Sequence, residues 1–542
     1  MDAGQLLAGL SWNTLLTALV GAYALSIAAF LILENRSPQS TFAWLFLLLV
    51  FPLGGLVLYV MFGRPRHAFS RRRSLAKLLE GTTLAERTTR LVAAQPDTLA
   101  ALTETHGHYA RLADMLWATA RSVLTQGNEL AILQDASEKY PRLLEDIRGA
   151  RQSIHLLYYE WASDAFTEKV GVLLGEKVAA GVPVRILYDP FGSFTMLSRR
   201  YVRELRRAGV QMFPFSPLYQ LHTLSYRNHR KIAVIDGLIG YSGGLNLTEK
   251  HLTGPDGFTG WRDTHARIAG EAVPVLQSVF ATMWHNTTGE NLFDERHFPE
   301  VADRHFGVPI QVVSAGPDSR WEAIRHSYLA MIGLAQDHVY LQSPFLILDT
   351  SLAETMKTAA LAGIDVRVML APRGAEFSPA YRASMTYAAD MARAGVKVLL
   401  YQGAYFHSKT VCVDSTLCSI GSANMDIRSF SINYETNLVI YDPGVTRELV
   451  ADFKADLEHC VPFPHPVDPS PEVRGRLQGV EHGATRRCEL RVGRGRDGHA
   501  DGGVGHARAV VEEGTEGVVP GGTEMDVVAP GSRYAGAEDS RV

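Results

Sequence analysis

A duplicated α/β fold behind a pair of apolar helices is the fold class this sequence predicts, and three observations predict it. Two uncharged apolar runs, residues 15–33 and 42–62, open the chain. Strand-like and helix-like stretches then alternate, and the landmarks of a first set recur in a second at a nearly constant spacing. The last segment, residues 471–542, holds 15 glycines and no Phe, Trp or Ile. With 542 residues, the chain exceeds one ordinary domain. The organisation predicted is a transmembrane hairpin with a basic flank at 1–70, a helical connector at 71–125, repeats at 126–300 and 301–465, and a disordered tail at 466–542.

The two runs, 19 and 21 residues long, would each cross the roughly 30 Å core of a bilayer at about 1.5 Å per residue. A short polar turn, Glu34-Asn35-Arg36-Ser37-Pro38, separates them, and Trp12, Tyr23, Trp44 and Tyr59 can serve as interface anchors. A cleaved leader fits poorly, because no basic residue precedes the first run and a second run follows at once. A pair of buried core helices is the other alternative, and two runs of this length joined by so short a turn argue against it. Arg64, Arg66, Arg71, Arg72, Arg73 and Lys77 follow the second run, whereas the turn has only Arg36 beside Glu34. The positive-inside rule then puts the remainder in the cytoplasm, with the cluster against anionic headgroups.

Composition excludes little and directs attention inward. Hydrophobic residues make up 46%, and the net charge of −4 does not point to nucleic acid. The cysteines, Cys412, Cys418, Cys460 and Cys488, form no CxxC pair and lie late in the chain. They suggest neither a disulfide framework nor a zinc site, and Cys412 reads as a small buried strand residue.

The repeat is read from landmarks. A strand at 154–159 is followed by a helical stretch and a second strand at 182–187, and the same order returns at 338–341 and 364–369. Gly181 and Gly363 are 182 apart, Gly209 and Gly395 are 186 apart, and His229 and His407 are 178 apart. Such steady spacing implies two copies of one α/β domain, each a sheet covered by helices.

Within the repeat sits a motif that carries chemistry. His229-Arg230-Lys231, Asp236 and Gly243-Gly244-Leu245-Asn246 match His407-Ser408-Lys409, Asp414 and Gly421-Ser422-Ala423-Asn424. Residues two apart on a strand share a face, so each imidazole and ammonium project together. The glycines permit close backbone approach, and Asn246 and Asn424 supply amide donors. Two such motifs build one pocket suited to a phosphodiester: Lys231, Lys409 and the asparagines bind the oxygens, one His attacks phosphorus, and the other moves the proton. Neither metal nor cofactor is required. Asp263 and Glu435 follow the two motifs and supply a carboxylate to orient each imidazole. Asp236 and Asp414 complete the catalytic set of the motif, and they also read as backbone-bonding residues. His222 and His265 read as packed or solvated, and Tyr340, Phe345 and Phe406 as core or pocket wall.

With these residues in hand, residues 15–460 resemble the phospholipase D superfamily and, within it, the bacterial cardiolipin synthases. Tyr226-Arg227-Asn228-His229-Arg230-Lys231, Trp261-Arg262-Asp263-Thr264-His265 and Gly421-Ser422-Ala423-Asn424-Met425-Asp426 with Arg428-Ser429 carry the resemblance. It implies duplicated phospholipase D-like domains in a bacterial inner membrane. It also implies transfer of a phosphatidyl group from one phosphatidylglycerol to another through a phosphohistidine, with release of glycerol. It implies His229 as nucleophile and His407 as acid/base. The tail departs from the basic, apolar C-terminus common in the family.

Rival functions are a hydrolase or nuclease on the same scaffold, transfer between another lipid pair such as one with phosphatidylethanolamine, and an inactive membrane scaffold. A nuclease would want a basic groove in place of an apolar hairpin. An inactive scaffold would not be expected to keep both sets of pocket residues. Oligomeric state leaves no signal in the sequence.

Overall fold

The computed structural model describes residues 12–33, 38–63, 83–217, 219, 224–301, 307–371 and 379–463. The basic cluster from Arg64 to Lys77, the turn 34–37, His222 and the glycine-rich tail lie outside them.

Two sheets carry the fold, and their strand orders match. From edge to edge the first runs Asn128–Gln134, Thr264–Gly270, Ile239–Gly243, Ile232–Ile235, Ile154–Tyr158, Val184–Tyr188 and Gln211–Pro214. In the second, the same order is taken by Ile310–Ala315, Glu435–Ile440, Leu417–Gly421, Thr410–Val413, His338–Gln342, Asp365–Leu370 and Lys397–Tyr401. Leu124–Thr125 and Cys460–Pro462 extend its two edges. The duplication expected from the glycine and histidine spacings is therefore present strand by strand. Each sheet mixes parallel pairs, such as Ile154–Tyr158 with Val184–Tyr188, and antiparallel ones, such as Ile232–Ile235 with Ile239–Gly243.

The strands on both faces are apolar because both faces are covered. Helices Asp135–Gly149, Ala165–Ala179 and Arg199–Arg207 close the outer face of the first sheet through Tyr140, Leu143, Phe166, Val170, Leu174 and Leu205. Helices Ala323–Leu334, Thr350–Leu361 and Pro379–Arg393 do the same for the second. The inner faces share one core, filled by helix Ala272–Thr288 with Phe280 and Trp284 and by helix Pro443–Asp456 with Leu449 and Phe453. Burying these two faces together holds the motif-bearing strands of the halves at a fixed distance.

The segment before the repeats differs from a simple connector. Helix Gln95–Ala120 packs through Leu102, Tyr109, Leu112 and Leu116 into the core of the second half, although the first half follows it in sequence. Gln95 anchors this arrangement by bonding both the amide and the carbonyl of Leu124.

At the N-terminus, helix Trp12–Leu33 packs on helix Pro38–Val50 through Leu31 and Leu48, and Tyr59 from further along the chain joins the same cluster. Run 42–62 is not one helix. It breaks at Phe51 (φ −132°, ψ 68°), restarts as Pro52–Leu58, and ends in a π turn at Tyr59–Gly63. Pro52 is the cause, since its ring and missing N–H interrupt the ladder. Counted over the described residues, no helix is long and apolar enough to cross a membrane.

Candidate active site

The first contribution of the fold is to lay the two motifs edge to edge. Tyr405–Phe406, just before His407, pairs in parallel with Trp261–Arg262, just before Asp263. Asn228, just before His229, bridges in parallel to Tyr434, just before Glu435. The His407 amide donates to the Arg262 carbonyl at 2.8 Å and the His229 amide to the Tyr434 carbonyl at 2.9 Å.

These pairings cross the carboxylates between halves. His229 Nδ1 lies 3.0 Å from Glu435 Oε1, and His407 Nδ1 lies 2.8 Å from Asp263 Oδ2. Each histidine is thus oriented by the half that does not contain it. Chain order alone would pair Asp263 with His229 and Glu435 with His407, and the two inter-half strand pairs overturn that order. A neutral imidazole that donates Nδ1–H to a carboxylate keeps a lone pair on Nε2.

Both carboxylates are fully buried, and their charge is nonetheless favoured. Burial raises the Asp263 carboxyl, but Lys409 and His407 outweigh it and hold the group well below the usual carboxylate range. Glu435 is likewise lowered against burial by His229 and Lys231, and Ser422 Oγ donates to it. The lysines respond in the opposite sense. Burial brings Lys231 down to about 7 and Lys409 down to about 8. His407 falls to about 3, through burial and then through Lys409, whose Nζ lies 2.8 Å from Nδ1. Burial therefore favours the neutral form of His407 and brings both lysines closer to losing a proton.

Neither ammonium opens directly onto the cleft: Lys231 and Lys409 are at most 1% exposed, and each donates to the carbonyl of the histidine in its own motif. They sit beneath the histidines. The asparagines do reach the cleft wall. The Asn246 carbonyl oxygen accepts from the Glu160 amide at 3.1 Å, which turns its NH2 group away from that contact. Lys139 and Tyr140 hold the Asn246 loop by donating to the carbonyls of Leu245 (2.8 Å) and Thr248 (2.9 Å). Gly244 is required by this packing, because a Cβ there would come within 1.9 Å of Asp263 Oδ1.

Asp236 and Asp414, expected with the catalytic set, bond backbone amides away from the cleft wall. Asp236 accepts from the amides of Arg151, Gln152 and Ser153 at 2.7–2.9 Å. Asp414 accepts from those of Gln336, Asp337 and His338 at 2.8–3.0 Å. Both open tight hairpin turns at left-handed φ (56° and 51°), and neither lines the cleft. They tie the motif hairpin to the start of the neighbouring strand, which accounts for their recurrence in both motifs. His265 is buried outside the cleft wall and Phe406 is core, whereas Phe345 is pocket wall.

The cleft encloses about 520 Å³. Besides both histidines and both asparagines, Tyr159, Glu160, Arg227, Trp261, Asp426 and Arg428 reach it. Tyr159 meets the His229 ring edge-on at 4.9 Å, and Trp261 tilts against His407 at 5.0 Å. Tyr159 and Glu160 were missed as site residues by motif reasoning, and Arg428 was quoted with the second motif but given no role in the site. Tyr159 and Glu160 follow the strand Ile154–Tyr158, and their position at the C-terminal end of a strand with a parallel neighbour is the signal that could have found them.

Among the described residues, no group of three or more His, Cys, Asp or Glu side chains is arranged to hold a metal ion. Cys412 and Cys418 are buried, unbridged and directly opposite each other on neighbouring strands.

Comparison with known proteins adds relatives to this geometry. Residues 143–284 and 328–457 match the family model described as cardiolipin synthase, phospholipase D-like domain, and residues 24–64 match the phospholipase D-nuclease N-terminal model. A cardiolipin synthase of Geobacillus sp. (strain WCH70) is 39% identical over 465 residues, 85% of this chain and 90% of the relative. Cardiolipin synthase 2 of Bacillus anthracis is 39% identical over 80% of this chain and 84% of its own. Among solved structures, phosphatidylserine synthase of Haemophilus influenzae superposes with a TM-score of 0.52 at 14% identity, over 69% of this chain and 96% of that one, which is a likeness of fold.

Proposed function

The chain belongs to the family of phospholipase D-like cardiolipin synthases, and on that premise we propose that it joins two phosphatidylglycerol molecules into cardiolipin and glycerol. The observation that carries the mechanism is the meeting of two crossed His–carboxylate pairs in one cleft. One imidazole attacks phosphorus and the glycerol oxygen leaves, taking a proton from the other imidazole. The second phosphatidylglycerol then gives that proton back as its hydroxyl attacks the phosphohistidine. Its oxygen forms the new ester bond, and the P–N bond breaks. Following the family resemblance, His229 is the attacking residue and His407 the proton carrier. His407, whose neutral form burial favours, gains its proton when the phosphodiester brings negative charge into the cleft. Lys231, Lys409, Asn246 and Asn424 stabilise the charge that develops on the phosphoryl oxygens.

The hairpin at 15–62 would hold this cleft at the bilayer that supplies both substrates, with residues 83–463 on the cytoplasmic face of the bacterial inner membrane. Its support is the pair of uncharged runs, the N-terminal family match and the outward-facing Leu25, Phe42, Phe46 and Leu53, which are 69–84% exposed. Protease should reach residues 83–463 from the cytoplasmic side of sealed membrane vesicles. Cleavage from the other side would contradict this orientation.

The activity is tested with purified protein and phosphatidylglycerol vesicles. Cardiolipin and glycerol should appear in equal amounts. Phosphatidic acid without cardiolipin would make the protein a hydrolase, and cardiolipin formed only when phosphatidylethanolamine is added would change the lipid pair.

A further inference from the structure

The two histidines are related by the duplication, but their surroundings are not. Counting 178 residues along the repeat, Arg227 corresponds to Tyr405 and Arg428 to Lys250. On the His407 side, Tyr405 and Trp261 form an aromatic wall, and Lys250 is neutralised by Glu160 at 2.9 Å. On the His229 side there are two arginines. Arg227 is buried and held by buried Asp189 at 3.4 Å. Arg428 is exposed, and among the described residues no carboxylate lies within ion-pair distance of it. It donates to the Ser225 carbonyl at 2.8 Å, a bond that aims it across the junction of the halves. Both arginines reach the cleft, and both act electrostatically on Tyr159, whose ring meets His229 edge-on.

A symmetric pair of His and Lys groups serves one reacting phosphate. The reaction described above brings a second phosphate that stays intact, on the acceptor lipid. In phosphatidylglycerol that phosphate is three carbons and one oxygen from the attacking hydroxyl. It must therefore lie in or at the mouth of the same cleft, whose lining includes both arginines. We infer that Arg428, backed by Arg227, is the subsite for the non-reacting phosphate of the acceptor lipid, and that it makes the enzyme prefer an anionic lipid over a neutral alcohol as acceptor. An arginine fork offers a phosphate two parallel hydrogen bonds, and Tyr405 and the paired Lys250 offer nothing equivalent on the other side. The inference rests on the cardiolipin synthase reading.

The test separates the two. Purified full-length protein is given phosphatidylglycerol together with labelled glycerol, and two products are counted in one sample: cardiolipin, whose acceptor has a phosphate, and labelled phosphatidylglycerol, whose acceptor has none. Arg428→Ala should lower the ratio of cardiolipin to glycerol exchange by roughly tenfold to a hundredfold, the range for losing a charge-assisted hydrogen bond. Arg428→Lys should fall between, since it keeps the charge and loses the fork. An unchanged ratio, whether the two rates hold or fall together, would overturn the subsite. Wild-type protein that exchanges glycerol and never makes cardiolipin would overturn the reading beneath it. Arg428 is the residue to change because Arg227→Ala would strand the buried Asp189 charge and disturb the fold.

Discussion

The two histidine environments share what the chemistry needs and differ in what the substrate needs. Each has an imidazole, a buried lysine two residues on, a carboxylate lent by the other half, and an aspartate that pins its hairpin. Around these, the His229 side carries Arg227 and Arg428 beside the Tyr159 ring, and the His407 side carries the Trp261 and Tyr405 rings with no arginine at the matching positions. Even the carboxylates are set differently: Ser422 donates to Glu435, whereas the matching Gly244 leaves room for the shorter Asp263. The comparison teaches that a duplicated site can retain twofold machinery for a symmetric phosphoryl group while its margins diverge for two unlike partners.

The largest expected effect breaks the shared machinery. His229→Ala and His407→Ala should each lower turnover by roughly 10⁴-fold or more, and the double variant should be no worse than either, because the two act on one phosphorus. Either single variant retaining near-normal turnover would separate the halves into independent sites. Next come the crossed carboxylates. Glu435→Gln and Asp263→Asn should each cost roughly 10²- to 10⁴-fold in turnover, by losing control of the imidazole tautomer. Nitrogen-15 spectra sharpen the point: Glu435→Gln should move the His229 signals and leave those of His407 in place, and the reverse pattern would refute the crossing.

The lysines give a pH signature of intermediate size. Both are lowered, to about 7 and about 8, whereas an unfolded lysine titrates near 10.5. As pH rises through that window the native site releases protons that the unfolded chain keeps, so stability increases while the charge needed for catalysis is lost. Turnover should therefore fall from about pH 7 upward as the unfolding midpoint rises. Turnover and stability falling together would argue against buried lysines as the titrating groups. The smallest catalytic effect belongs to Asp236→Ala and Asp414→Ala. Each should cost about 1–3 kcal/mol in urea unfolding, for three backbone amides left without their acceptor, with little change in turnover of the folded fraction.

Much of this was legible in the sequence for a physical reason. Strand periodicity and glycine turns are local, so a duplication of 178 residues is visible in one dimension, and the motif geometry follows from side chains two apart sharing a face. What could not be read depends on contacts between distant segments. The crossing of Asp263 and Glu435 is set by pairing of Tyr405–Phe406 with Trp261–Arg262 and of Asn228 with Tyr434, and no spacing encodes it. The depth of the lysines beneath the histidines and the attachment of helix Gln95–Ala120 to the second half are tertiary in the same way. The break at Phe51–Pro52 was different: the proline was in plain view within an apolar run that hydropathy alone treats as continuous.

The claim that two motifs make one site is tested most directly by the stoichiometry of the trapped intermediate. Protein mixed with phosphate-labelled phosphatidylglycerol and quenched in the first turnover should hold at most one phosphatidyl group per chain, on a single histidine, with one glycerol released for each. Two labelled histidines in one chain would contradict it.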